Sequence, residues 1–431
     1  MKYDEKYKNI NIFVVNSSYI QGDGWLEEQS VINGRLNSRF YIGAYTVIDI
    51  GCYCTNTFIG RFSFIDKNVH IGYQKLHNQN FSMHPFSNDL PFIASDNYYK
   101  KIKTSRFYYE QNKYTFIGND VFIGKNSIIE EGCVIGDGVI IHPNTYLNFN
   151  VEDYAIVSGN PAKIIGFRYD TATIVKLKNL KWWRKDISSK IYQNKPNTID
   201  YVNNLDLIDK LYDSANNLPP LTKKTYHINT VFNSILINEA TKLITGPSHI
   251  DLWYRKYLKG EVTKPRNYHL LPIPALSLFS DQLEKLIVWW KEWFGEILLF
   301  VPDFRIGNVA VDNPIKDGRF IRQDLVSIEN SLKCYSLGIE KLDIYTKNHN
   351  ISLWFWCLFG REEFNKNSGN YNEEGHYKHP VWNYNEILER YSEHTVDIKK
   401  HFPNILECIV DGSIHPTNDT YEKMSKLFDE L

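Results

Sequence analysis

From Ile117 onward, aliphatic residues recur every six positions, at Ile117, Ile123, Ile129, Ile135, Ile141 and Leu147, and glycine follows three of them as Gly118, Gly124 and Gly136. An upstream block, FYIGAYTVIDIGCYC and then FIGRFSFIDKNVHIG, repeats the spacing at Ile42 and Ile48. It slips by one residue near Cys54 and resumes at Ile59, Ile65 and Ile71. A period of six matches neither the 3.6-residue turn of a helix nor the alternation of an amphipathic strand. It suits a triangular coil in which each short strand turns a corner and sends one aliphatic side chain inward, which is the repeat of a parallel β-helix. Three hexapeptides close a coil. Residues 42–165, less a loop over 73–114, therefore supply roughly four to five coils whose faces bury one another.

The next position in the register after Ile71 is His77, and there the pattern gives way to QKLHNQNFSMHPFSNDL, with Pro85-Phe86 eight residues beyond the histidine. The repeat ends in SGNPAKIIGFRY (158–169), followed by LKNLKWW (177–183) on an expected helix. Trp182 and Trp183 read as core residues of a helix packed back on the coil. His84, His70 and His142 match no motif and read as ordinary polar residues.

A chain of 431 residues exceeds what one core usually organises, so two domains are expected. With 49 Lys plus Arg against 50 Asp plus Glu and no long block of one sign, a nucleic-acid or membrane-surface partner is not expected. Six cysteines without a C-x-x-C pair read as reduced, mostly buried residues. The first residues carry acidic side chains and only a short apolar run, Ile12 to Val15, and ISLWFWCLFG (351–360) is about half a membrane span. The expectation is a cytoplasmic protein with no transmembrane segment.

The hexapeptide blocks, the His77 loop, the SGNPAK exit and the Trp-Trp helix together resemble the xenobiotic (chloramphenicol and streptogramin) acetyltransferase branch of the left-handed β-helix acyltransferases, over residues 40–185. The resemblance implies a left-handed parallel β-helix, a homotrimer with each site between neighbours, and acetyl-CoA as co-substrate. It also implies that His77 is the general base and that the loop bounds the acceptor pocket. Imidazole suits that task, because a thioester is already activated and the acceptor hydroxyl needs only a base that works near neutrality. For coenzyme A, the matching stretch is Ser158, Gly159, Asn160, Pro161, Ala162 and Lys163. Gly159 permits close backbone approach and Lys163 offers a point charge to phosphate. The same GNPAK segment also reads simply as the end of the β-helix.

Beyond Asp186 the pattern dissolves around Pro196 and Pro219-Pro220, with a helix expected near 204–213. The expected domains are 1–185, a connection over 186–225, and 226–431. In the last, KLITGPSH (242–249), EILLFVPDF (296–304) and ISLWFWCLF (351–359) read as strands. DQLEKLIVWWKEWFG (281–295) reads as a helix with Leu283, Leu286, Ile287, Trp290 and Phe294 on one side. Such alternation indicates a three-layer α/β domain with a parallel sheet.

A serine after the first strand, with an aspartate and a histidine before the last helix, resembles the SGNH hydrolases. The roles carried over are Ser248 as nucleophile, His415 as base, Asp411 as its orienting partner and Asn308 as oxyanion donor. Pro247 replaces the aspartate of the family's Gly-Asp-Ser, and one extra residue separates Asp411 from His415. His376 and His379 have no acidic or cysteine partner at metal-ligand spacing, and no metal is expected.

The joint expectation is an acetyl-CoA-dependent O-acetyltransferase of a carbohydrate, such as a bacterial capsular or O-antigen polysaccharide or its precursor. The alternatives are an antibiotic or amino-sugar acetyltransferase, or a trimeric glycan-binding scaffold with an SGNH-like esterase domain.

Overall fold

The computed structural model describes residues 3–73, 113–188, 204–228, 234–236, 241–246, 248–272, 278, 281–301, 328–356, 359, 384–410 and 415–430. The chain divides into two compact units, Met1–Ser234 and Ile235–Leu431.

In the first unit the hexapeptide period becomes three columns of inward side chains, one for each face of a parallel β-helix. Register sets Val14, Ile32, Ile48, Ile65, Ile123, Ile141 and Val157 one above another on the first face. Leu36, Cys54, Ile71, Ile129 and Leu147 form the second column. Leu26, Ile42, Ile59, Ile117, Ile135 and Val151 form the third. Every member is at most 3% exposed. At about 1.5–3 kcal/mol for each fully buried aliphatic side chain, these columns are the main source of the unit's stability. The expected positions fall on successive columns, and the slip near Cys54 is the short step from Cys54 to Ile59.

Tight stacking explains the glycines. A Cβ on Gly43 would stand 2.6 Å from the backbone of Gly60, and one on Gly118 2.7 Å from that of Gly136, so a side chain there would force adjacent coils apart. At the corners the backbone enters the left-handed region, for instance at Asn68, Asn126 and Asn144. Asparagine tolerates that conformation, and these three amides bond from coil to coil, Asn68 to Asn126 at 3.4 Å and Asn126 to Asn144 at 3.2 Å.

The coil begins earlier than the expected Ile42. Val14, Ile20, Leu26 and Ile32 already keep the six-residue step, and the strands Ile20–Glu27 and Arg35–Ile42 run parallel in register. An open first coil would expose unpaired backbone. Lys224–His227 covers it by pairing antiparallel with Ile20–Glu27. This strand spans the boundary expected at 225/226 and lies within the first unit. At the other end the chain doubles back as Lys163–Phe167, antiparallel to Ala155–Ser158. A helix, Thr171–Leu180, then starts where the Asp170 carboxylate accepts the Thr173 N–H at 2.8 Å. The helix expected near 204–213 is Asn204–Asp213.

The second unit holds a parallel sheet in the order Tyr268–Pro272, Lys242–Gly246, Glu296–Phe300, Ser352–Trp354. Three of these strands lie inside the segments expected to be strands; Tyr268–Pro272 was not anticipated. The helix Asp281–Lys291 and the residues after it bury Leu283, Leu286, Ile287, Trp290 and Phe294, as its periodicity predicts. The last helix, Asn418–Glu430, buries Tyr421, Met424 and Phe428.

Candidate functional site

The expected base, His77, lies outside the described residues, but both ends of the segment that carries it are placed. The chain is described up to Tyr73 and again from Lys113, and Glu131 clamps both sides. Its N–H donates to the Tyr73 carbonyl at 3.0 Å, and its carboxylate accepts the Lys113 N–H at 3.3 Å. The segment therefore leaves after Ile71, in the second column, and returns to Ile117 in the third. The inward place that follows Ile71 in the register belongs to Ile117, which pairs with Ile59.

Outside the second column runs a row of side chains that is aromatic or polar except at Ile128. Register aligns Tyr53, His70, Ile128 and Tyr146. The His70 ring meets Tyr53 edge-on at 5.0 Å and Tyr73 at 5.4 Å, and burial lowers its pKa, which favours neutral imidazole. The Tyr146 hydroxyl donates to the Glu130 carboxylate; that bond and then burial push the phenol up to about 12. The Tyr146 backbone braces the turn expected to meet coenzyme A. Its N–H donates to the Gly159 carbonyl at 3.1 Å, and its carbonyl accepts the Ala162 N–H at 3.0 Å. Gly159 sits at φ +106, open to glycine. Gly159, Asn160, Pro161 and Lys163 are exposed, Ser158 is half-buried, and Ala162 is buried. The structure thus joins the root of the His77 segment to the Ser158–Lys163 stretch through residues that sequence reasoning passed over. Their signal was available, because His70 and Tyr146 immediately precede the inward Ile71 and Leu147.

Beside this row, at the corner leading to the third face, Asp23 contacts His227 at 2.5 Å and Arg39 at 3.7 Å. His227 is 2% exposed and also meets the Trp25 ring. Elsewhere in this unit Trp183 is 1% exposed, in keeping with a core role. Trp182 is partly exposed; it packs on Phe62 and lines a cavity of about 560 Å³ that, among the described residues, none of the expected site residues lines.

In the second unit the strand Lys242–Gly246 lies between two neighbours at the point where the strand order reverses, the place where open α/β sheets collect ligands. A Cβ on Gly246 would meet the Phe300 Cβ at 2.6 Å, so glycine lets the strand end close against its neighbour. Ser248 opens the helix Ser248–Leu258. The ring of the next residue, His249, stacks on His415 at 4.6 Å, and the His249 carbonyl accepts the Tyr421 hydroxyl at 2.8 Å. The fold thus brings His415 to the start of the Ser248 helix. Asp411 and Asn308 lie outside the described residues, as do His376 and His379. Among the described residues no group of three or more His, Cys, Asp or Glu could hold a metal, and no helix is long and apolar enough to cross a membrane.

The model of the bacterial transferase hexapeptide (six repeats) family matches residues 114–148. A chloramphenicol acetyltransferase of Agrobacterium fabrum is 49% identical over 69 residues, which are 16% of this chain and 33% of that protein. The chain thus spans about a third of the length of this curated relative. Among solved structures, a hexapeptide-repeat containing acetyltransferase from Vibrio cholerae is 22% identical, covering 30% of this chain and 64% of that one with a TM-score of 0.23. The polySia specific acetyltransferase NeuO is 19% identical over 37% and 70% of the two chains, with a TM-score of 0.26. A maltose O-acetyltransferase from Clostridium difficile 630 is 20% identical over 37% and 65%, with a TM-score of 0.22.

Proposed function

We propose that the first unit is an acetyl-CoA-dependent O-acetyltransferase acting on a carbohydrate, such as a bacterial capsular or O-antigen polysaccharide or its precursor, with His77 as general base. The observation that carries this reading is the 49% identity to a chloramphenicol acetyltransferase, together with a chain excursion that leaves the coil beside a row of side chains ending at the Ser158–Lys163 turn. His77 takes the proton of an acceptor hydroxyl, the alkoxide adds to the thioester carbonyl, and the tetrahedral intermediate collapses to the ester. The leaving thiolate of coenzyme A then takes the proton from the imidazolium. Holding base, hydroxyl and thioester together supplies much of the rate. Ser158, Gly159, Asn160, Pro161, Ala162 and Lys163 hold coenzyme A, with exposed backbone and the Lys163 ammonium available to its phosphates.

The active species is a homotrimer. Its support is the outward row of the first face, Phe13, Val31, Val47, Phe64, Phe122, Ile140 and Ile156, which stays apolar across every coil. None of these side chains is fully covered in the single chain, and Phe64 is 39% exposed. Such a continuous apolar stripe is an interface feature. The second unit is SGNH-like, with Ser248, His415, Asp411 and Asn308 as a second acyl-handling site; the parallel sheet and the approach of His415 to the Ser248 helix favour it. The identity of the curated relative also favours a second reading, an antibiotic or amino-sugar acceptor.

The test is free-thiol release from acetyl-CoA by the wild type, His77→Ala and Ser248→Ala, with oligosaccharides, amino sugars and chloramphenicol as acceptors. The proposal requires His77→Ala to lose at least about a hundredfold in rate while Ser248→Ala keeps transferring. The reverse pattern moves the chemistry to the second unit, and turnover with chloramphenicol alone establishes the second reading.

A further inference from the structure

The corner between the second and third faces of the coil carries a buried amide with nothing to bond to. Asn37 follows the inward Leu36, is 8% exposed, and neither its Oδ1 nor its Nδ2 has a hydrogen-bond partner. An unmade pair of bonds on a buried amide costs several kcal/mol, on the order of 1–3 per group, so such a group calls for a bound water or a ligand.

Its neighbours define the setting. Register places Gln21 opposite Asn37 and Asp23 opposite Arg39, and Thr55 opposite Asn37 on the following coil. A Cβ on Gly72 would stand 2.1 Å from the Thr55 carbonyl, which sets the last residues before the His77 segment against this corner. On the return side, burial raises the Tyr114 phenol while the charge of Arg39 opposes the rise, so Arg39 stands close to that end as well. An Asp23 oxygen lies 2.5 Å from the His227 Nε2, the Asp23 side chain is 37% exposed, and Arg39 stands 3.7 Å from the other oxygen. That separation exceeds a direct hydrogen bond, so the two groups form a loose ion pair that a small sideways shift opens to a bridging hydroxyl.

We propose that Asn37, Asp23 and Arg39 form an acceptor subsite for an uncharged pyranose, read through two neighbouring hydroxyls. An asparagine amide offers a donor and an acceptor side by side, which matches one hydroxyl used in both senses. The second hydroxyl bridges Asp23 and Arg39, donating to the carboxylate and accepting from the guanidinium. The two charges cancel, so this corner suits a neutral sugar better than a uronic or sialic acid. His227 is a positioning residue that fixes the Asp23 carboxylate. This assignment rests on the carbohydrate O-acetyltransferase reading and deepens it by naming the acceptor class and the residues that read it.

The experiment uses the full chain and measures two affinities separately by calorimetry. One is for coenzyme A. The other is for methyl glucoside, galactoside and mannoside, set against methyl glucuronide and galacturonide. The wild type should bind a neutral glycoside saturably and more tightly than its uronide. Asn37→Ala and Arg39→Gln should each weaken glycoside binding at least tenfold and leave coenzyme A affinity unchanged, which also reports that the coil is folded. Asn37→Ser, which keeps one hydrogen-bonding group, should fall between. Unchanged glycoside affinity in Asn37→Ala means that the amide holds only a water and overturns the proposal. So does a preference for uronides, or the absence of saturable binding by every neutral glycoside. Failure of the wild type to bind coenzyme A strikes the acetyltransferase reading instead and leaves the glycoside arm to be judged on its own.

Discussion

Removing the Arg61 side chain tests how dry the inside of the first unit is. Arg61 and Glu27 are 3% and 0% exposed. The guanidinium grips the carboxylate in a fork, with Nε and Nη2 each 2.7 Å from its oxygens. It also donates from Nη1 to the Leu221 carbonyl at 3.0 Å and the Trp183 carbonyl at 3.4 Å. Glu27 accepts the Ala44 N–H at 2.7 Å as well. Arg61→Met fills much of the same volume but leaves a carboxylate buried without its countercharge, an effect of about 3–5 kcal/mol. With an m-value near 3 kcal/mol per molar urea for a unit of this size, the midpoint of coil unfolding should fall by roughly 1–1.7 M. The double change Glu27→Leu/Arg61→Met removes both charges. It leaves neutral groups without partners, among them the Ala44 N–H, the two carbonyls and the Tyr41 hydroxyl beside Glu27, but no charge, so it should be more stable than Arg61→Met by at least about 1 kcal/mol. Because the chain has two compact units, unfolding is best followed by hydrogen exchange at column residues such as Ile65 and Ile123, as a function of urea. A midpoint shift below about 0.3 M for Arg61→Met at constant m would refute the idea of a dry, interdependent pair. A double variant no better than the single would refute the charge explanation in particular.

Two further outcomes follow from local geometry. Gly138 sits at φ +70 with the Tyr154 ring 2.4 Å from where a Cβ would stand, so Gly138→Ala should cost roughly 2–4 kcal/mol through left-handed strain and overpacking, read as a loss of thermal stability. In the second unit, burial would raise the Asp343 carboxyl, but hydrogen bonds from Arg390, Tyr391 and Lys347 outweigh it and hold the group at about 2. Its folded pKa is therefore below its unfolded value, so its contribution is fully present above about pH 4 and lost as pH falls through about 2. Allowing for the exposure of the cluster, Asp343→Asn should remove about 1 kcal/mol at pH 7 and only a few tenths at pH 2, measured by urea unfolding at both.

Much of the first unit was legible in the chain because its contacts are periodic. A side chain six residues on stands in the next column, so Ile117 to Leu147 announce both the coil and their own burial. Glycines such as Gly118 mark where coils close on one another. The earlier repeats at Val14, Ile20, Leu26 and Ile32 carried the same signal, obscured by the four-residue step from Ile32 to Leu36 that shifts the phase. In the second unit the apolar runs and the helix at Asp281–Lys291 were equally local. Tyr268–Pro272 escaped because YHLLP offers neither alternation nor a long apolar run.

By itself the sequence determined the coil, its corners, the parallel α/β sheet and the residue types able to do acyl chemistry, because each depends on patterns within a few turns of chain. Only the tertiary structure decided which residues share a site. Glu27 meets Arg61, Asp23 meets His227, and Glu131 closes both ends of the His77 segment. These partners are chosen by which coil stacks on which and by where the chain returns after leaving it. Short steps in the period and long excursions shift that register, and a local pattern carries no record of the sum.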